Sequence, residues 1–406
     1  MPRLDNSLPL ALDGYAWLPD RRRRAGGPFA TRLAGLPATG IAGPDAVRFF
    51  YDEEHVLRHG AIPEPVQGTL FGHGAVHTLD GDAHRHRKAV FLSLLGPDGA
   101  AALAEETAAV WDRTAAGWAR REIVLFDEAS RVITEAACRW AGVDGTLPAG
   151  DLVALVDGFA TLGPRHWRAR RARGRLERRL AGQIEAVRNG MTAAPAGSAV
   201  AVVAAHRDLD GALLPPRTAA VEVLNVIRPT VAVCWFVAYM AHAMHLWPHT
   251  RMRLRAGDPA YVEAFVHETR RFYPFAPFVG GRAARDLTWR GTRIPAGSMV
   301  LLDLYGQNHD RILWEGPYQF RPERFLKLPP GRDDLVPQGG GNPATGHRCP
   351  GEGATISLLS ALAPRLAALD WTLPPQDLTI SLRRIPARPR SGVVLAVPAV
   401  DRTMVG

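Results

Sequence analysis

Between Pro229 and Pro248 the chain reads PTVAVCWFVAYMAHAMHLWP, without one Asp, Glu, Lys or Arg. A run of that length either crosses a bilayer, which takes ~20 apolar residues, or lies buried along its whole length in a large core. Pro229, His242, His245 and Pro248 within it, and Glu222, Asn225 and Arg228 just before it, favour the buried helix, because polar groups are costly in hydrocarbon. A helix that is apolar on every side needs other elements packed all round it. The 406 residues, 47% of them hydrophobic, suffice for such a core, and no Ser/Gly tract, repeat or low-complexity segment divides them. One domain, 1–406, with no transmembrane segment is expected.

Apolar periodicity predicts helices over Ala101–Arg121, Asp127–Ala141, Leu176–Arg188 and Pro216–Leu246. By contrast LTWRGTRIPAGSMVLLDL, Leu287–Leu304, reads as short strands broken at Gly291 and Pro295. The expected fold is mainly α with a small β portion. Cys138, Cys234 and Cys349 fall in unrelated contexts with no CxxC pair, which argues against a disulfide framework or zinc knuckle. Cys138 and Cys234 read as small core residues. This usage suits a reducing cytoplasm, and the start, MPRLDNSLPL, lacks the apolar core and cleavage site of a signal peptide.

Net charge is +9, which raises the question of a nucleic-acid partner. The densest basic tract, RHWRARRARGRLERRL over Arg165–Leu180, keeps Trp167, Leu176 and Leu180 at near-helical spacing. It reads as an amphipathic helix with a solvated basic face, since no recognition module accompanies it. The Arg21–Arg24 run reads as a solvated arm. No nucleic-acid partner is expected.

The strongest chemical signal is PQGGGNPATGHRCPGEG, from Pro337. A glycine-rich loop delivers Cys349 just before an apolar helix that begins near Pro350, so the sulfur is expected to face free N–H groups and a positive helix end, which favour the thiolate. A cysteine nucleophile needs a positioned base, and His347, two residues away on a loop, is awkwardly placed for one. A thiolate ligand to haem iron fits better, because a flat cofactor needs small loop residues against it.

A second signal is DPAYVEAFVHETRRFYPF, in which Asp258 can cap a helix and Pro259 can open it. Glu268 and Arg271 then share one helical face. Together these segments resemble the cytochrome P-450 superfamily: Glu268-Thr269-Arg270-Arg271 matches its ExxR motif, FRPERF over Phe320–Phe325 its next arginine segment, and GHRCPGE over Gly346–Glu352 its haem-thiolate loop. The resemblance implies the P-450 fold, with haem b sandwiched between the central helix and the Cys-loop helix. It implies Cys349 as axial ligand and a structural charge network of Glu268, Arg271 and Arg324.

The departures from that pattern point further. The Phe usual seven residues before the cysteine is Asn342, and the Gly usual four before it is Thr345. Where the central helix usually carries an acid followed by an alcohol for proton delivery, this chain has Ile227-Arg228-Pro229-Thr230. That combination resembles the fatty-acid peroxygenase branch, whose members use hydrogen peroxide to hydroxylate fatty acids at the α or β carbon or to decarboxylate them to terminal alkenes. The resemblance extends to LFGHGAVHTLDGDAHRHRKAVFLSL from Leu70, GPRHWRARRAR from Gly163, NVIRP from Asn225, RRFYPFAPF from Arg270 and LLDLYGQNHD from Leu301.

The chemistry follows from residue types. A buried guanidinium is costly unless paired, and arginine suits bidentate carboxylate binding, so a long-chain fatty acid is the expected partner of Arg228. The alternatives for Arg228 are a pair with Glu222 or an exposed helix edge. Pro229 removes an N–H and is expected to open or kink the helix. A carboxylate held there can serve as the acid-base group during peroxide cleavage and confines oxidation to the carbons nearest the head group.

Leu70, Phe71 and Phe278 are candidate walls for the alkyl tail. His77 occupies the branch position that is glutamine in several hydroxylases and histidine in the alkene-forming decarboxylase, which tilts the expectation toward decarboxylation. A satisfied structural histidine is the other reading. The resemblance also points to His84, Arg87 and Arg282 as partners of the haem propionates, and Arg58 is a further candidate. A conventional monooxygenase would need redox partners, and a noncatalytic haem sensor or carrier would need Cys349 but not Arg228. The peroxygenase reading needs no redox partner.

Overall fold

The computed structural model describes residues 4–159, 161–327 and 330–399; the expected unit, 1–406, extends beyond them at both ends. The uncharged run forms the centre. Pro216–Val231 and Val233–Leu246 are two helices separated by Ala232, where the sequence predicts one continuous helix. Pro229 has no N–H to offer the carbonyl one turn back, and the Thr230 hydroxyl bonds the Val226 carbonyl at 2.9 Å, so hydrogen bonding is altered in the turn before the break.

Every residue from Val231 to Ala241 is buried. Trp235 stands edge-on to Phe126 at 4.7 Å, and Tyr239 stacks on Tyr273 at 4.5 Å. The Tyr239 hydroxyl donates to the carbonyls of Pro274, at 2.8 Å, and Ala387, so the ring is buried with its polar tip satisfied. Of the most apolar window in Pro216–Leu246, 94% lies inside the protein, which makes it a core element despite its length.

Against this centre pack the helices Leu125–Ala141, Pro164–Arg188, Pro259–Phe272 and Glu352–Ala368, and Pro97–Ala115 packs in turn on Leu125–Ala141 and Glu352–Ala368. The helix predicted to reach Arg121 stops at Ala115. Arg121–Val124 instead pairs antiparallel with Val394–Val397, a contact with the far end of the chain that local periodicity cannot report. Asp258 caps the Pro259 helix by accepting from Ala260 N at 3.0 Å, as its sequence position implies.

The β portion is larger than Leu287–Leu304 alone suggests. Five strands run in the order Phe29–Leu33, Leu36–Ile41, Met299–Asp303, Phe278–Ala283, Val56–Leu57, and one neighbouring pair, Leu36–Ile41 with Met299–Asp303, is parallel. The last pairing sets Leu57 opposite Arg282 and fixes where Arg58 leaves the sheet.

Buried neutral histidines make the fold acid-sensitive. His309 is 6% exposed, its Nδ1 lies 2.9 Å from the Tyr305 carbonyl, and burial followed by the charge of Arg271 lowers its pKa from 6.5 to about 4. The unfolded imidazole takes up a proton below 6.5 while the folded one refuses it until about 4. Its contribution is therefore full above 6.5 and declines as the pH falls toward 4, at about 1.4 kcal/mol per pH unit. Urea denaturation between pH 7 and 5 measures the slope, and His309→Asn flattens it by that amount.

Candidate active site

The Cys349 loop lies close against Tyr51. At Gly339 (φ +90°) a Cβ would sit 2.2 Å from the Tyr51 hydroxyl, and at Gly340 it would sit 2.2 Å from Val47 Cγ1. Only glycines allow this approach. Cys349 N donates to the Gln338 carbonyl at 3.3 Å, and the Gln338 side-chain Nε2 stands 3.8 Å from the sulfur and 3.0 Å from Thr355 Oγ1. The Gln338 oxygen accepts from Arg270 Nε and Nη2 at 3.2 and 2.9 Å, which orients the amide with its N–H toward sulfur. Arg270 and Arg348 both pair with Glu352.

Sequence reasoning weighed Asn342 and Thr345 and missed Gln338. Its only signal is the PQGGG string eleven residues before the cysteine. The expected acidification of the thiol is not what the protein alone produces. Burial raises the Cys349 pKa, against the Gly351 N–H, Lys88 and the Gln338 amide, which lower it. A bound metal cation would supply the missing stabilisation of the thiolate. A cleft of about 410 Å³ opens beside Cys349, lined by His267, Arg270, Arg348, Glu352 and Ile356 among others.

The three residues of the predicted charge network converge. Glu268 is fully buried and accepts from Arg271 Nε and Nη2 at 2.7 and 2.8 Å, from Arg324 Nε at 3.0 Å and from Arg321 N at 2.8 Å. Arg271 Nη1 donates onward to the carbonyls of Asn308 and Pro317. The fork-on-fork pairing satisfies both carboxylate oxygens.

A second group, of basic side chains, lies around the loop. Arg58 is buried with its guanidinium 4.2 Å over the Phe50 ring, and its Nη1 has no hydrogen-bond partner among the described residues. His84 stacks on His347 at 3.7 Å, and burial, then His347 and Lys88, lower its pKa to about 3. Lys88 reaches the carbonyls of Gly346 and Arg348, and burial lowers its pKa to about 8. Lys88 was absent from the sequence-based candidates, although it is the residue after Arg87 and lies one helical turn beyond His84.

Arg87 and Arg282 are placed otherwise. Arg87 pairs with Asp208 and, at 2.9 Å, with Glu222, so its guanidinium is committed to protein carboxylates. Arg282 is exposed on its strand, with Nε 3.8 Å from where a Cβ on Gly60 would lie.

The third group centres on Arg228, which is 6% exposed. Its one hydrogen bond to protein is a long one, 3.4 Å from Nη2 to Asn225 Oδ1; Nε has none, and no carboxylate lies within ion-pair distance among the described residues. Glu222, the alternative partner, is taken by Arg87 and Val76 N. Burial, then the charge of Arg173, lowers the Arg228 pKa to about 9.

Phe71 lies 5.7 Å from the Arg228 guanidinium and 4.5 Å from the His77 ring. Asn225 Nδ2 holds the Phe71 carbonyl at 2.9 Å, so one asparagine orients both the cation and the aromatic wall. His77 Nδ1 is buried without a partner among the described residues, and burial followed by Arg228 lowers its pKa well below 6.5, which favours the neutral imidazole. Leu70 is buried beside Phe71. Phe278 instead faces Trp17, in the apolar cluster that includes Leu18 and Leu301.

These residues fit a haem. One soft sulfur donor stands in a glycine cradle, and Arg58 and Lys88 are buried cations with less carboxylate around them than their charge requires, which suits two propionates.

The comparisons agree with this geometry. The cytochrome P450 family model matches residues 258–378, the segment that carries Glu268, Arg324 and Cys349. Among curated proteins, pluviatolide synthase of Sinopodophyllum hexandrum is 36% identical over 117 residues, and the putative cytochrome P450 137 of Mycobacterium tuberculosis is 33% identical over 109. Each match spans only 23% of the relative's length and 28% or 27% of this chain.

Solved structures match along nearly the whole chain. Cytochrome P450SP alpha (CYP152B1) in complex with (R)-ibuprophen superposes with a TM-score of 0.93 at 41% identity, covering 97% of this chain and 98% of the other. Cytochrome P450EX alpha (CYP152N1) with myristic acid gives 0.92 at 35%, covering 98% of both. A variant of cytochrome P450 OleT in complex with arachidonic acid gives 0.94 at 34%, covering 99% and 100%. The chain belongs to the cytochrome P450 superfamily, whose fold implies haem iron. Within it the chain belongs to the CYP152 branch, the fatty-acid peroxygenases that its sequence resembles.

Proposed function

We propose that this protein uses hydrogen peroxide to oxidise long-chain fatty acids at the carbons nearest the carboxylate, by hydroxylation, by decarboxylation to a terminal alkene, or both. The observation that carries this reading is Arg228, a buried guanidinium with no carboxylate within ion-pair distance among the described residues, 5.7 Å from the Phe71 ring that in turn packs on His77. A fatty-acid carboxylate is the ligand that satisfies it. Neighbours in the same branch are named as complexes with myristic and arachidonic acids, which supports the substrate class.

Cys349 would hold haem iron, with Arg58, His84 and Lys88 toward the propionates; Arg87 and Arg282 are less suited, being ion-paired and exposed respectively. Bound haem would supply the iron chemistry by which peroxide oxidises a C–H or C–C bond. The chain's own residues do the rest. Arg228 fixes the head group, Asn225 orients Arg228, and Phe71 with Leu70 walls the tail, so the carbons next to the carboxylate are the ones presented for oxidation. The helix offers no acid-alcohol pair, and the bound carboxylate is placed to accept and return the proton. No redox protein enters this scheme.

Purified holoenzyme given a long-chain fatty acid and hydrogen peroxide, without NADPH or redox partners, is expected to form products oxidised at Cα or Cβ, or one carbon shorter. Absence of turnover, with turnover restored by an electron-transfer system, would overturn the proposal. His77, neutral and with an unpartnered Nδ1, is positioned to hold a water or a product hydroxyl. His77→Gln is expected to lower the alkene-to-hydroxyacid ratio several-fold while hydroxylation persists, as chromatography of the products will record.

A further inference from the structure

Most of the basic tract singled out in the sequence lies outside the site. It forms the helix Pro164–Arg188, whose buried face carries His166, Ala169, Ala172, Arg173, Leu176 and Leu180. Arg173 is spent inward: it donates to the carbonyls of Thr69 and Leu70 at 2.9 and 2.5 Å and pairs with Glu177. The inner face of this helix thus holds the segment that presents Phe71.

The outer face is different. Trp167, Arg168, Arg171, Arg175 and Arg178 recur at helical spacing and are all exposed. Arg175 pairs with Asp151, but among the described residues Arg168, Arg171 and Arg178 have no carboxylate within ion-pair distance. At the start of this stripe Trp167 is 57% exposed and Leu162 89% exposed. Unpaired arginines in a row, ending in an exposed indole and a leucine, match an anionic lipid headgroup layer with an apolar layer beneath it. A single tryptophan offers no stacking platform for successive bases, which disfavours a nucleic acid.

We infer that the outer face of the Pro164–Arg188 helix docks on anionic phospholipid surfaces, with Trp167 and Leu162 entering the interface. The inference rests on the proposed function only for its purpose: an enzyme of fatty acids gains from working where they partition, and the docked helix is the one whose inner face supports the wall at Leu70 and Phe71.

Flotation of the holoenzyme with vesicles tests it. Binding is expected to vesicles of mixed phosphatidylglycerol and phosphatidylcholine, to be at least tenfold weaker to phosphatidylcholine alone, and to fall with rising salt. The triple substitution Arg168→Glu, Arg171→Glu, Arg178→Glu is expected to lose binding at least tenfold, the corresponding triple lysine variant to keep it, and Trp167→Ser to weaken it severalfold. Equal flotation of the triple glutamate variant, or no flotation of the parent, overturns the inference. So does tighter binding to duplex DNA or RNA than to the anionic vesicles. None of these arginines lies in the catalytic machinery, so peroxide-driven turnover of dispersed fatty acid should be unchanged in the triple variant. Failure of that turnover in the parent would strike the proposed function and leave the flotation result standing.

Discussion

Arg228→Ala is expected to lower kcat/KM for free fatty acids by about thirtyfold or more, because truncating one partner of a desolvated charge pair costs ~2–5 kcal/mol, at ~1.4 kcal/mol per tenfold. The loss combines two effects. The head group is no longer held, and the carboxylate that should move the proton is no longer placed to do so. Arg228→Lys should recover only part of the activity, since an ammonium is a point charge and cannot reproduce the bidentate geometry.

Stability separates this role from a structural one. In the substrate-free protein Arg228 makes one long hydrogen bond, and burial opposes its charge. Removing it therefore leaves the denaturation midpoint unchanged or raises it. Activity lost together with stability would mean that the arginine holds the fold; unchanged activity would refute the carboxylate clamp.

Glu268→Ala is expected to destabilise the protein by about 3–5 kcal/mol, the usual cost of leaving buried charges unpaired. Arg271 is fully buried and Arg324 nearly so, and both direct Nε at the same Glu268 oxygen, with Arg321 N on the other. Their remaining N–H groups are held by carbonyls, which cannot neutralise a charge. Denaturant unfolding with haem content measured in parallel checks the expectation. Glu268→Gln should fall between parent and alanine variant, because the amide keeps one acceptor but not the charge. A loss below about 1 kcal/mol in the alanine variant would show that the network is solvated in the working protein.

Much of the site was legible because its residues are costly where they stand. An arginine and a proline in an uncharged helix, a cysteine after a run of glycines and an ExxR pair each break the rule of their surroundings. What stayed hidden depends on side-chain direction and on distant pairing. His84, Arg87 and Lys88 lie within five residues on one helix, yet Arg87 turns to Glu222 and Asp208 while Lys88 turns to the cysteine loop. Periodicity gives the face of a helix but not which neighbour arrives there. Gln338 was hidden because Arg270, sixty-eight residues earlier, sets its orientation.

By itself, then, the amino-acid sequence marked the apolar central run, the glycine-flanked cysteine loop, the residues of the charge network, the arginine set among apolar residues and the solvated face of the basic tract, because burial of charge and broken periodicity are written locally. Only the tertiary structure decided that Glu222 is already occupied, that Gln338 meets the sulfur and that Phe278 packs with Trp17. Those outcomes depend on which distant groups compete for the same partner, and that competition is settled only when the chain is packed.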